Sequence, residues 1–195
     1  FRASVFYPES PWQGGKTLFH SKTIRDGVTY NSGTAEDGWP YQSVARNNQR
    51  TGFMVRKRCN EKMKPTPVIN DDTDYIIFRL GEIYLNLAEA AFYLGYTQEA
   101  LDALNRLRQR VQMPPKETIS EAIIQNERLV ELTWENHSYW DIRRWRIAKR
   151  LLDGVRMKGL QYTYNYNTKK YQIAIINAEG VARTFQDRNY YLPLG

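Results

Sequence analysis

The chain has 195 residues, 42% hydrophobic and 25% charged, which suits one folded domain with its own core and excludes a mainly disordered chain. No apolar run reaches the roughly 18–20 residues of a membrane-spanning helix, and the opening Phe1-Arg2-Ala3-Ser4 is neither a signal peptide nor an initiating Met, so the chain reads as a piece of something longer. Its 28 Lys and Arg against 21 Asp and Glu give a net charge of +7. That excess is scattered, with clusters at Arg56 to Arg58, Arg106 to Arg110 and Arg143 to Arg150, and we read them as solvated or ion-paired faces. The single cysteine, Cys59, excludes an internal disulfide and lacks the flanking His or Cys of a metal site.

Residues 1 to about 72 show no sustained helical period and are rich in Gly, Pro, Asn, Gln and aromatics, as in "FYPESPWQGG" and "DGWPYQS". Long loops and short strands laid over a scaffold are expected there, and loops of that length often bind something. Tyr7, Trp12, Trp39 and Tyr41 stand in these loops where no periodic core face demands them. Exposed indole and phenol rings suit stacking on the apolar face of a sugar or on a nucleobase; otherwise they plug the underside of the loops. Asp71, Asp72 and Asp74 precede an apolar run and suit the positive start of a helix better than a calcium loop, since their spacing is not that of an EF-hand.

A helix is predicted over about 77–94, with Tyr84, Leu87, Ala88 and Ala91 recurring on one face and Gly95 as its stop. A second runs over about 97–111, with Ala100, Leu104, Leu107 and Val111 on one face, until Met113-Pro114-Pro115 ends it. The short turn makes the two antiparallel. The spacing of Ala88, Gly95, Ala100, Leu104 and Leu107 matches a tetratricopeptide-type hairpin, which needs further helices to bury its faces.

A third helix opens at "TISE", read as a capping box of Thr118 and Glu121, and runs to Trp134 or Glu135 with Ile119, Ile123, Val130 and Trp134 as its apolar stripe. Glu127, Glu131 and Glu135 recur at four-residue steps, with Arg128, Arg143 and Arg144 as counter-ions for a network that fixes helix docking. "YWDIRRWRIAKRLLDG" predicts a fourth helix over about 139–152. The period then changes to two: "YTYNY", "YQIAII" and "GVARTF" predict a small antiparallel sheet or hairpin. There is no Walker loop, dinucleotide fingerprint, HExxH or nucleophile elbow. His137 offers a base steered by Glu135 or Asp141, or else a hydrogen-bonded histidine at a helix junction. With no nucleophile or metal group beside it, no catalytic residue, metal or cofactor is assigned.

Taken in order, "FRLGEIYLNLAEAAFYLG", "EALDALNRLRQR", "NERLVELTWENHSYWDIRRW" and "RNYYLPL", with the opening "FRASVFY", resemble the C-terminal domain of the SusD/RagB family of outer-membrane nutrient-binding lipoproteins of Bacteroidetes. The chain departs from the family pattern at Leu129 and Ser138, where Arg is usual, at Asn136, where Gly is usual, and at Leu194-Gly195, before the closing Pro. With the periodicities above, the resemblance implies a mainly α fold of tetratricopeptide-like helical hairpins with long irregular loops and a small antiparallel β-element. The chain would be a single domain: a loop-rich ligand region (1–72), a helical scaffold (73–154) and a β-element (155–195). Asp141 and the arginines would tie helices together, with Trp140 and Trp145 filling the space between them.

The function the resemblance implies is non-enzymatic capture of oligosaccharide or polysaccharide at the cell surface for a SusC-like TonB-dependent transporter. The protein would be held at the outer membrane by a lipidated cysteine upstream of this chain. The residues expected to bind are Tyr7, Trp12, Trp39 and Tyr41 by stacking, with Arg46, Asn47 and Asn48 on sugar hydroxyls. The alternative is a peptide-binding or protein-interaction helical scaffold. Nucleic acid is not an expected partner.

Overall fold

Apolar spacing at three and four residues does build helices in the computed structural model of the chain, which describes residues 1–17, 19–31, 51–62 and 74–191. The chain divides into a helical unit, Thr73–Arg144, and a second unit made of Phe1–Asp72 and Trp145–Gly195. In the helical unit, α1 spans Leu80–Tyr93 and α2 spans Thr97–Arg110. They are separated by Gly95 at φ +82°, the left-handed conformation that ends helices. Leu85 packs with Leu107, and Ala88 with Ala103 and Leu104. Numbers rising on α1 meet numbers falling on α2, so the pair is antiparallel, and its alanines let the backbones approach closely.

The third helix, α3 (Glu121–Glu131), closes this core with Ile124 against Ala88 and Leu104. Leu132, just past its end, packs with Leu85 and Leu107. Ser120 and not Thr118 caps α3: its Oγ accepts the Ile123 N–H at 3.3 Å. The inward stripe also differs from expectation, because Val130 is 64% exposed and Trp134 lies past the helix end at φ +68°. At the start of α1 the cap position is Arg79, which makes no side-chain cap, and the acidic residue of the first turn is Glu82. Asp74 is exposed well upstream of that turn, and Asp71 and Asp72 lie outside the described residues.

The glutamate ladder of α3 is paired, with partners other than those expected. Arg108 donates to Glu127 at 2.6 Å with both side chains buried, and Arg79 and Arg110 each donate to Glu131 at 2.8 Å. Arg79 also grips Glu135 through Nε and Nη2, both at 2.8 Å. The hydrogen bonds that Arg79 donates to Glu135, more than any other cause, raise the pKa of its guanidinium well above the ordinary range. Gly81 makes room for this fold-back, since a Cβ there would collide with the Arg79 guanidinium.

Arg128 serves a different partner. It donates to the buried Asp141 on α4 (His137–Arg144) at 2.7 Å and to Asn86 on α1 at 2.6 Å. Arg144 joins Asp141 at 3.2 Å and Glu89 at 2.9 Å, while Arg143 lies over the Tyr139 ring at 3.6 Å. Asp141 therefore ties α4 to α1 and α3. Trp140 fills no space between helices: it is 56% exposed.

The second unit carries β1 (Val5–Phe6), β2 (Pro11–Trp12), β3 (Gly15–Lys16), β4 (Lys22–Arg25), β5 (Val28–Asn31) and β6 (Met54–Val55). It continues with α5 (Ala148–Leu152), β7 (Lys158–Asn165) and β8 (Lys170–Asn177). The expected helix over 139–152 is broken, with Arg146 at φ +57° between α4 and α5. The strands β7 and β8 form an antiparallel hairpin in register from Lys158 with Asn177 to Asn165 with Lys170. The hairpin of β4 and β5 turns at Asp26-Gly27, both at positive φ (49° and 79°), the type I′ geometry that suits strand twist. Strand β4 then pairs parallel to β7, giving a four-stranded sheet in the order β5-β4-β7-β8.

Two short antiparallel pairs, β1 with β6 and β2 with β3, complete the strands described. The expected strand "GVARTF" is not one. That segment is held by Arg183 bonds to the backbone of Gly154 and Val155 at 2.9 and 3.0 Å, and by the Phe185 N–H on Asp153 at 2.9 Å. It leads into a 3-10 turn at Asp187–Tyr190. Val5, Phe6, Phe19, Ala148, Tyr162 and Phe185 are the buried hydrophobic residues of this unit.

Candidate ligand-binding cleft

The segment Tyr7-Pro8-Glu9-Ser10 leaves β1 in a tight turn, with Glu9 at φ +69° and the Ser10 N–H on the Tyr7 carbonyl at 3.0 Å. Thr17 locks it from across the β2–β3 hairpin: its hydroxyl shares a 2.6 Å hydrogen bond with the buried Ser10 hydroxyl and donates to the Tyr7 carbonyl at 2.8 Å. Because Phe6 pairs with Met54 across β1 and β6, the strand register sets Phe53 opposite Tyr7. Phe1 stacks on Tyr7 at 5.6 Å and stands edge-on to Phe53 at 5.7 Å.

Facing these rings is the sheet. Leu160 and Tyr162 of β7 share one face by the two-residue period, as do Tyr171 and Ile173 of β8. Together these residues wall a cleft of about 570 Å³ that also takes Pro8, Glu9, Lys169 and Lys170 into its lining. Gly52 anchors one wall: it is buried at φ +81°, and the neighbouring Thr51 carbonyl accepts the Leu160 N–H at 3.0 Å. Burial raises the Tyr162 phenol above its ordinary pKa of 10.0. Among the described residues the lining brings together aromatic rings, two lysines and one glutamate, groups that can hold a ligand.

Of the residues expected to bind, Tyr7 lines this cleft and Trp12 does not. Trp12, half-buried on the β2–β3 hairpin, meets the core residue Phe6 edge-on at 4.8 Å. Trp39, Tyr41, Arg46, Asn47 and Asn48 lie outside the described residues. "YTYNY" and the polar Asn-Thr-Lys-Lys turn after it predict a hairpin and no site, and nothing local marks Phe1 or Phe53 as lining one. The alternation of "YTYNY" already put the tyrosines on one face, but what faces them depends on pairing with distant segments. In the helical unit, His137 has its Nε2 3.5 Å from a Glu82 carboxylate oxygen. Glu135 and Asp141, the expected steering groups, are engaged by Arg79 and by Arg128 with Arg144.

Compared with known proteins, the sequence matches the SusD family over residues 1–195. The chain belongs to the SusD family. A SusD-like protein of Formosa agariphila, P38, is 29% identical, over 53% of this chain and 23% of its own length. Among solved structures, a SusD-like protein of Bacteroides fragilis matches 99% of this chain with a TM-score of 0.68 and 25% identity, over 34% of that protein. A SusD-like carbohydrate binding protein of the same species matches 98% of this chain with a TM-score of 0.62 and 22% identity, over 38% of its own length, and shares the fold. The chain thus spans about a quarter to about two fifths of these SusD-like relatives.

Proposed function

We propose that the chain is part of a cell-surface protein that binds oligosaccharide or polysaccharide without acting on it chemically and passes it to a SusC-like TonB-dependent transporter. In this reading a lipid anchor upstream of the chain holds the protein at the outer membrane, and nucleic acid is not a partner. The observation that carries the reading is the cleft in which Tyr7, Phe53, Tyr162 and Tyr171 surround a space the size of a small ligand, within a chain of the SusD family. Sugar rings stack on such faces through their C–H groups, with hydroxyls left for polar partners. Trp12, Trp39, Tyr41, Arg46, Asn47 and Asn48 are proposed as further contacts to the glycan. Per sugar the affinity is weak, and contact with several sugars raises it. The α1–α2 pair serves as a tetratricopeptide-like hairpin in the supporting scaffold.

Affinity electrophoresis of the full-length protein against a panel of polysaccharides tests this. One glycan should retard migration, and Tyr7→Ala and Phe53→Ala should each reduce its affinity about tenfold with folding unchanged. Retardation by no glycan would refute the reading. A second reading, capture of a peptide or protein segment by the helical unit, draws on an open groove of about 1350 Å³ beside α1 and α2 that is lined by Tyr84, Leu87, Met113 and Pro114 among others. Peptide binding that Leu87→Asp abolishes would favour it.

A further inference from the structure

We propose that the cleft of the sheet unit selects an acidic glycan, seating the sugar carboxylate or sulfate ester against Lys169 and Lys170; this deepens the glycan reading and rests on it. The positive excess of the chain is not spread evenly. The unit formed by 1–72 and 145–195 holds 20 Lys and Arg against 10 Asp and Glu, whereas 73–144 hold 8 against 11. The whole surplus therefore belongs to the unit that carries the cleft.

Cations of both units pair within their own unit, as Arg56 with Glu61, Lys149 with Asp187 and Arg183 with Glu179 do in the sheet unit. In the helical unit Arg79, Arg108, Arg128 and Arg144 all pair with carboxylates of the same unit. At the cleft, neither Lys169 nor Lys170 forms an ion pair among the described residues. Lys169 Nζ lies 5.3 Å from the Tyr166 ring and the Arg25 guanidinium 4.2 Å from it, so two cations gather around Tyr166 at the end of the β7–β8 hairpin. Among the described residues the lining carries one carboxylate, Glu9, against the two lysines, so the described lining is net positive.

The lysine pair is held in place by its turn. The Asn165 side-chain oxygen accepts the N–H groups of Asn167 and Thr168 at 3.0 Å, and the Asn167 side chain pairs with Asp26 on the β4–β5 turn through bonds of 2.9 and 2.8 Å. An ordered turn thus sets Lys169 and Lys170, both residues of the cleft lining, next to Tyr171 at the start of β8. Aromatic faces take the apolar side of a sugar ring, while flexible point charges accept either carboxylate or sulfate. A neutral glycan would gain hydrogen bonds from the lysines to its hydroxyls but no attraction between opposite charges.

The test measures affinity of the full-length protein for a uronate polymer, its carboxyl-reduced form, a sulfated galactan and its desulfated form, at low and high salt. The variants are Lys169→Gln with Lys170→Gln, and Lys149→Gln with Arg150→Gln as a control of equal charge change outside the cleft lining. At least one acidic polymer should bind tenfold more tightly than its neutral form, and the uronate and sulfate arms name the anion. The cleft pair of substitutions should erase that advantage and its salt dependence, and the control pair should keep both. Equal binding of charged and neutral forms, or cleft variants within twofold of the parent, would overturn the inference while leaving glycan binding standing. Binding to none of the polymers or of a wider neutral panel would overturn both.

Discussion

Asp141 gives the sharpest test of how the helical unit is held together. Its side chain is 4% exposed and accepts from Arg128, itself 6% exposed, at 2.7 Å, with Arg144 adding a bond at 3.2 Å. In Asp141→Leu the Arg128 guanidinium stays buried without its counter-charge, a defect that costs about 3–5 kcal/mol in comparable sites. Arg128 keeps Asn86 at 2.6 Å and Arg144 keeps Glu89, which puts the expected loss at the low end, about 3 kcal/mol. The double variant Arg128→Met with Asp141→Leu removes both charges together and should recover most of that loss, because exposed Asn86 can turn to water. Urea unfolding of the full-length protein, followed by tryptophan fluorescence, reads all three free energies. A single variant that costs less than about 1 kcal/mol, or a double variant no more stable than the single, would refute the claim that a buried charge pair sets the docking of α4.

Gly52→Ala must accept a left-handed φ of 81° and a Cβ 2.5 Å from the Leu160 carbonyl. A loss of about 2–4 kcal/mol on urea unfolding, with weakened glycan binding, is expected; a neutral outcome would mean that Thr51 and Gly52 do not seal against β7. Gly81→Ala should displace the Arg79 guanidinium and cost about 1–3 kcal/mol, and combining it with Arg79→Ala should be less than additive, whereas full additivity would show that the glycine serves something else. Burial raises the Tyr162 pKa above 10.0, so the folded chain holds this phenolic proton more tightly than the unfolded one. Its contribution to stability is present below about pH 10 and is lost as pH rises through the folded value. Tyr162→Phe should flatten the alkaline fall in stability above about pH 10, and identical slopes for the two proteins would contradict the assignment.

Much of the helical unit was legible because helix period and helix ends are local. The α1–α2 hairpin, its alanine-lined contact and the Gly95 stop all follow from neighbours within a few residues. Errors arose where the deciding partner was remote. The Glu127, Glu131 and Glu135 ladder was read correctly as paired, yet its arginines come from α2 and from Arg79, while Arg128 turns to Asp141 and Asn86. A helix face tells that a carboxylate needs a cation without telling which one arrives. Ser120 displaced Thr118 because two residues in "TIS" could both cap, and only the start of the first helical turn chooses between them. The Asp26-Gly27 turn, by contrast, is a local signal carried by "IRDGVTY".

By itself, then, the amino-acid order determined family, the α1–α2 pair, the β7–β8 hairpin and the aromatic richness of the first segment, since each is carried by residues close together along the chain. The parallel seam between β4 and β7, the opposition of Tyr7 to Phe53, and the cleft that joins both to Tyr162, Tyr171 and the lysine pair were decided by tertiary structure alone. Those contacts link residues up to about 160 positions apart, and no local period encodes which distant segment pairs with which. The hydrogen-bonding needs of strand edges and the burial of apolar faces settle that choice only once the whole chain has folded.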